Sequence, residues 1–409
     1  MTDAIVIIGG GHAAAQLCAG LADAGQGART HLVCEEAWLP YHRPPLSKAF
    51  LKGEEAEPQA HRAAAWYADA GIHLHLEDAA VSIDRAARTV LLRSGQVLPW
   101  KHLVLATGTR ARALPALAQP LANLAVLRAV HEALHLRTRM AAAQRIVVLG
   151  GGFIGLEVAA TARAMGKDVA VLEAGPRLMG RAVSPALSAQ VLAVHRAAGI
   201  DVRLNAQADA FQIDGDRVMS IDVAGESLPV DLLLLAIGAT PETALAEAAG
   251  LECADGIVVD EFMQTSDAAV LAVGDCTRFH ERRASRALRL ESVQNANDQA
   301  RTAVATLLGA PRPHDALAWF WSDQGGLRLQ MAGLVPAADA PGLVTVRRPG
   351  PNDAAFSLLH YLDGQLVCVE SVNAPVDHMM SRKLLEAGRS PAPAVAADAS
   401  VPLKNHLVG

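Results

Sequence analysis

The chain has no two cysteines spaced to act together: its five, at 18, 34, 253, 276 and 368, form no C-x-x-C pair. That excludes a zinc ribbon and a redox dithiol, and leaves reduced thiols that serve mostly as small buried side chains. A long hydrophobic run is also missing. The densest, from Leu232 to Ile237, falls far short of the roughly 20 residues a membrane helix requires, so no membrane partner is expected. Nor is there an excess of positive charge, and a net charge of −6 argues against nucleic acid as a bulk partner. Strand pattern begins by Ala4, leaving no room for a charged leader and cleavage site, so no secretory signal is expected and the cytoplasm is. With 409 residues, 51% of them apolar, two or three folded domains are expected.

What the chain does have is one glycine signature written twice. The first copy runs Ile5-Val6-Ile7-Ile8-Gly9-Gly10-Gly11-His12-Ala13-Ala14, with Glu35 closing the next apolar run. The second runs Ile146-Val147-Val148-Leu149-Gly150-Gly151-Gly152-Phe153-Ile154-Gly155, with Glu173 closing the run from Asp168. Each is a β-branched strand, a glycine turn, a helix start and an acid some 20 residues on, which is the context of a dinucleotide-binding βαβ unit. Gly9 and Gly150 permit the tight turn, while Gly11 and Gly152 let backbone N–H groups approach a pyrophosphate at the helix N-terminus. Ala14 and Gly155 are the third small residue, for close helix–strand packing, and Glu35 and Glu173 can accept the ribose hydroxyls of an adenosine.

Other segments organise the rest. Pro40 to Lys48 is too proline-rich for a helix before Pro45. His102 to Gly108 reads as a buried strand ending in a glycine turn, Ala106-Thr107-Gly108, and 231–238 ends likewise in Ile237-Gly238. Pro115 and Pro120 mark a linker. Val270 to Asp275 is a strand with an acid at its carboxyl end, where open α/β sheets place ligands. If it completes the first sheet, the second βαβ unit is an insertion in the first domain. From about Trp319 the pattern turns to short strands, and the Ala/Pro-rich stretch from Ser390 to Pro402 reads as an extended surface segment.

The expected fold class is therefore α/β, two Rossmann-like dinucleotide-binding domains, one inserted in the other, plus a C-terminal α+β domain. The expected boundaries are 1–112 with 242–318 for the first domain, 113–241 for the second and 319–409 for the third. His131-Glu132-Ala133-Leu134-His135 matches H-E-x-x-H, but it lies outside a metalloprotease context and no metal is expected. His73 and His75 read as one solvated strand face. Arg278, Arg282, Arg283, Arg286 and Arg289 stand against one acid, Glu281, which composition alone reads equally as solvated surface or as a dock for an acidic partner.

Taken in order, PYHRPPLSK at 40–48, Ala106 to Gly108, GGGFIGLE at 150–157, Gly274-Asp275, ESVQNANDQA at 291–300 and WFWSDQG at 319–325 resemble the flavoprotein reductases that carry electrons from a nicotinamide dinucleotide to a small ferredoxin. The nearest likeness is to the ferredoxin reductase component of bacterial aromatic-ring dioxygenases, a glutathione-reductase-like architecture. The resemblance implies FAD in the first unit, met by Gly9, Gly11, Ala14, Glu35, Arg43, Lys48, Ala106, Thr107, Gly108 and Asp275. Glu291, Ser292, Val293 and Trp321 should border its ring.

For NADH it implies Gly150, Gly152, Phe153, Ile154, Gly155, Glu157, Glu173, Arg181, Ile237 and Gly238. Lys48 and Glu157 become the candidate catalytic pair, the lysine supporting negative charge on reduced flavin. Glu173 favours NADH over NADPH by repelling a 2′-phosphate, with Arg177 and Arg181 near enough to soften that. A [2Fe-2S] ferredoxin is the implied partner, with a terminal oxygenase served indirectly, and the arginines at 278, 282, 283, 286 and 289 then read as its docking site. A P450 ferredoxin or a rubredoxin as acceptor, or an NADH-responsive flavoprotein like the apoptosis-inducing factors, are the alternatives. The family commonly has an acid where this chain has His42, which leaves the local bonding of Arg43 open.

Overall fold

Apolar strands of four or five residues, buried on both faces, are the mark of parallel sheet, and the computed structural model of residues 3–407 contains two such sheets. Its contacts divide the chain into two compact units. One comprises 1–43, 57–110 and 239–316, and the other 44–56, 111–238 and 317–409.

In the first unit Ile5–Ile8 is central, with every residue buried, and pairs in parallel with Thr30–Val33 on one side and His102–Leu105 on the other. His73–His75 extends the sheet at one edge and Val270–Ala272 at the other, both in parallel. The fifth strand thus comes from beyond the whole second glycine signature, which makes that signature an insertion in chain order. The helices His12–Asp23 and Val293–Leu307 belong to the same unit.

The second unit repeats the plan around Arg145–Leu149, with Asp168–Glu173 and then Asp201–Leu204 on one side and Leu232–Leu235 and Leu124–Ala125 on the other. Here the outermost strand precedes the glycine turn in sequence. Leu232–Leu235 is buried throughout, and each such side chain contributes about 1.5–3 kcal/mol by leaving water. The same unit holds a five-stranded antiparallel sheet in the order Trp319–Gln324, Leu327–Gly333, Gln365–Val372, Phe356–Leu362 and Leu343–Pro349, with the helix Pro375–Glu386 behind it. Ser184 at the start of the helix Pro185–Ala197 donates its N–H to Glu370 of this sheet at 2.8 Å, and His360 bonds the other carboxylate oxygen at 3.0 Å.

Three local expectations are corrected. The Ala/Pro-rich segment is not extended: it contains the helix Pro393–Ala397, and Ala396 is fully buried. Its carbonyls at Ala396, Asp398 and Val401 all accept from the buried Arg348 guanidinium, which the sequence could not show because the donor lies some fifty residues away. The stretch with Pro115 is not a free linker, since Pro115–Leu117 forms a 3-10 turn and Leu117 and Leu121 are buried in a core. Pro44–Ser47 likewise forms a 3-10 turn ahead of the short helix Ala49–Lys52, because proline fixes φ where such a turn needs it.

Candidate functional site

The two glycine turns are built alike. Gly9 and Gly150 have φ of +127° and +105°, and a Cβ on either would lie 2.1 Å from the Ala106 carbonyl oxygen or 2.3 Å from that of Ala236. Only glycine fits. A Cβ on Gly11 or Gly152 would meet nothing within 4 Å, so each turn leaves an open approach at the first residue of its helix. That open backbone, at a helix N-terminus and at the carboxyl end of a parallel sheet, fits the pyrophosphate of a dinucleotide in both units.

Around the first turn the unit gathers most of the residues that sequence assigned to FAD. Ala106 closes on Gly9, and Thr107 donates its hydroxyl to the Glu242 carbonyl at 2.7 Å beside Gly108. Gly274 N–H is held by Gln299 at 2.7 Å, and a Cβ there would sit 3.4 Å from Ala13 and 3.7 Å from Ala296. Asp275 is thereby carried to the start of both helices. Ser292 caps the helix from Val293 through the Asn295 N–H, and Glu291 pairs with Arg289, which also reaches the Asp275 carbonyl at 3.5 Å.

Arg43 has partners that the sequence left open. Its guanidinium bonds Glu36 at 2.8 Å and the Tyr41 hydroxyl at 3.0 Å. Burial works against its charge, but Tyr41, Glu36 and Asp275 outweigh it and raise its pKa. Glu36 was missed; its only sequence signal is that it is the second acid of a pair.

Glu35 and Glu173 are not equivalent. Ile8 pairs with Val33 and Leu149 with Leu172, so the position after the strand is Cys34 in one unit and Glu173 in the other. Cys34 is buried against Gly10. Glu35, one residue on, is exposed and pairs with Arg93 at 3.1 Å. Glu173 instead turns into its own glycine turn, accepting from Gly151 and Gly175 N–H at 2.7 Å each. It keeps lone pairs for ribose hydroxyls. Arg181 brings its guanidinium within 3.4 Å of a Cβ on Gly238, beside Ile237, whereas Arg177 is spent on the Gly180 and Val183 carbonyls.

Glu157, on the helix Phe153–Ala164 with Ile154 exposed at its first turn, is more than a helix-start acid. It is 6% exposed and accepts from the Lys48 ammonium at 2.6 Å and the Ser47 hydroxyl at 2.5 Å on one oxygen, and from the Ser322 hydroxyl at 2.6 Å on the other. A buried carboxylate is tolerable only when so satisfied. Ser47 and Ser322 were within the quoted motifs but had no assigned role. Trp321, one residue before Ser322, is half-buried, with its ring 5.9 Å from that of Trp319.

The arginine cluster separates into two kinds. It lies on the hairpin of Thr277–Glu281 and Arg286–Leu288. Arg283 pairs with Asp315 at 3.3 Å, Arg289 is engaged as above, and Arg278 is half-buried. Arg282 and Arg286 are exposed and form no ion pair among the described residues. In H-E-x-x-H, Glu132 is a cap: it accepts the N–H of Arg128 and Ala129 at 2.6 and 2.8 Å ahead of the helix Val130–Ala142. No helix among the described residues is long and apolar enough to cross a membrane.

Comparison with known proteins agrees with this geometry. Residues 3–300 match the pyridine nucleotide-disulphide oxidoreductase family and 319–407 the reductase C-terminal family. The chain is 40% identical to a terpredoxin reductase of a Pseudomonas species, over 99% of this chain and 98% of the other. It is 37% identical to the ferredoxin–NAD(+) reductase component of the anthranilate 1,2-dioxygenase system of Burkholderia cepacia, over 99% of each. The crystal structure of the ferredoxin reductase for the CYP199A2 system of Rhodopseudomonas palustris superposes with a TM-score of 0.93 at 42% identity, covering 98% of this chain and 99% of that one.

Proposed function

We propose that this chain, which belongs to the pyridine nucleotide-disulphide oxidoreductase family, is a cytoplasmic FAD-containing NADH:ferredoxin reductase that serves a [2Fe-2S] ferredoxin of an aromatic-ring dioxygenase system. The observation that carries the reading is the doubled turn: two open glycine approaches, each on its own parallel sheet, in one chain. FAD when bound would convert the two-electron hydride chemistry of NADH into single-electron transfer. The division 1–112 with 242–318, 113–241 and 319–409 gives FAD, NADH and C-terminal domains, and the oxygenase is served through the ferredoxin.

The chain's own residues would do the rest. The turn at Gly9–Gly11, with Ala14, Arg43, Ala106–Gly108, Asp275 and 291–293, would hold FAD, and Glu35 its adenosine ribose. The turn at Gly150–Gly152, with Phe153–Gly155, Glu173, Arg181, Ile237 and Gly238, would hold NADH. Lys48 keeps a proton on Nζ against Glu157, so positive charge is held at a fixed atom while Ser47 and Ser322 prevent the carboxylate from moving. Trp321 would cover the flavin.

A second reading, the reductase of a P450-type system, is favoured by the 42% identity to the CYP199A2-system protein. One assay tests both: NADH-driven reduction of cytochrome c through a dioxygenase [2Fe-2S] ferredoxin or a P450 ferredoxin. Reduction of ferricyanide but of neither ferredoxin would reject the proposal. Arg282 and Arg286 carry the docking reading. Charge reversal at both should slow ferredoxin reduction about tenfold at low salt and leave ferricyanide reduction intact, and equal loss with both acceptors would end it.

A further inference from the structure

The strand His73–His75 forms one edge of the first unit's parallel sheet, and its two histidines share a face because residues two apart on a strand point the same way. His31 of the neighbouring strand is in register with His73 and lies on that same face. The His31 Nδ1 and His75 Nε2 atoms are 3.1 Å apart, and the two ring planes are 19° from parallel. The His73 ring stacks on His31 with centroids 4.5 Å apart. His73 is exposed and the other two are half-buried, so the cluster is open to solvent.

The geometry points to a binding site for a divalent late transition ion of the zinc class, chelated by His31 Nδ1 and His75 Nε2, with His73 as third ligand. Two nitrogens 3.1 Å apart, each about 2.05 Å from a metal, subtend about 98° at it, between square-planar and tetrahedral demands. The present N–H···N bond gives way to chelation by a tautomer exchange on one ring. The surroundings suit the role. His73 Nε2 bonds the Ala28 carbonyl at 3.2 Å, leaving Nδ1 with its lone pair, and the Gln96 side chain bonds the His75 ring. Such outer bonds fix the tautomer and orientation of metal-binding histidines. Asp78 supplies negative charge near His75 while its carboxylate holds Ser94.

A second cluster, His12, His42 and His61, brings its ring nitrogens within 4.8 Å of one another but is the poorer cation site. Arg62 and Arg43 lie close to His61, and His12 opens the first turn of its helix, where the backbone dipole is positive.

The test is calorimetric titration of the purified protein with Zn2+ alone, with Mg2+ as the control ion. One equivalent of Zn2+ should bind, Mg2+ should not, and His31→Ala or His75→Ala should weaken Zn2+ by at least tenfold. His73→Ala should weaken it less, and His61→Ala should leave it unchanged. Circular dichroism checks each fold, and His75→Gln replaces any alanine variant that fails. Absence of a saturable Zn2+ heat, undiminished binding in the His31→Ala/His75→Ala double variant, or loss in His61→Ala would overturn the assignment. The readout needs neither flavin nor turnover, so it stands or falls apart from the proposed reductase activity.

Discussion

The two glycine turns share one backbone and differ in what lies after the second strand: a buried thiol at Cys34 in one unit and a carboxylate at Glu173 in the other. In the second unit the acid is tied to the turn itself, through Gly151 and Gly175. In the first, the acid has moved out to Glu35 and faces solvent and Arg93, while the inner polar bonding is done by Glu36 with Arg43. A nucleotide turn therefore specifies its phosphate contact through backbone alone, and leaves the ribose contact free to be built in more than one way. The first unit also adds Arg43, Asp275 and the helix start at 291–293 around its turn, which suits a ligand held throughout. The second unit places Arg181 beside Gly238, and the buried Glu157 on its helix, which suits a ligand that comes and goes.

The strongest way to break that comparison is to block each turn. Gly9→Ala and Gly150→Ala both put a Cβ where 2.1 Å and 2.3 Å separate it from a carbonyl oxygen, at φ values alanine avoids. Gly9→Ala should purify with little or no flavin. Gly150→Ala should keep its flavin and lose NADH-dependent bleaching by a hundredfold or more, read in a stopped-flow spectrophotometer. If Gly9→Ala kept its flavin and lost only NADH, the roles given to the two turns would be exchanged.

Lys48 comes next. Lys48→Ala leaves Glu157 buried with only two hydroxyl donors, and Lys48 itself is 26% exposed, so screening keeps the stability loss near 1–3 kcal/mol, below that of a fully buried pair. Flavin reduction by NADH should slow by about 10²-fold with a smaller change in NADH affinity, since charge held at a fixed atom acts mainly as charge develops. A change in affinity alone would reduce the pair to a structural bond. Glu173→Ala has a milder consequence: NADPH should gain on NADH by about tenfold in kcat/KM. No change in that ratio would mean that the Gly151 and Gly175 bonds are the whole role of the carboxylate.

How legible all this was depends on the distance over which each feature is determined. The paired turns, the strands and the strand Val270–Ala272 with its following acid could be read because apolar runs, glycine and a nearby acid encode them locally. Ser322 reaching Glu157 across 165 positions could not, nor could the tail bound to Arg348, because sequence periodicity carries no trace of which distant donor will satisfy a buried acceptor. Glu35 and Glu173 looked alike for a related reason. Counting residues from a glycine does not fix strand register, and the one-residue offset emerges only from the ladder.

The smallest effect separates the turns at their third small residue. Ala14 carries a buried methyl without conflict, whereas a Cβ on Gly155 would lie 2.4 Å from the Gly150 carbonyl oxygen and 3.0 Å from the Ala236 methyl. The helix thus packs more tightly on its strand in the second unit. Ala14→Gly removes one methyl and loosens one helical position, a cost of about 1–2 kcal/mol, and flavin content should stay within a few-fold of the parent. Gly155→Ala must push the helix start from the turn, costing about 1–3 kcal/mol, and the open approach at Gly152 shifts with it. NADH KM should rise while flavin content does not change. Should Ala14→Gly strip the flavin and Gly155→Ala spare NADH, tight packing at that position would not be what shapes the second turn.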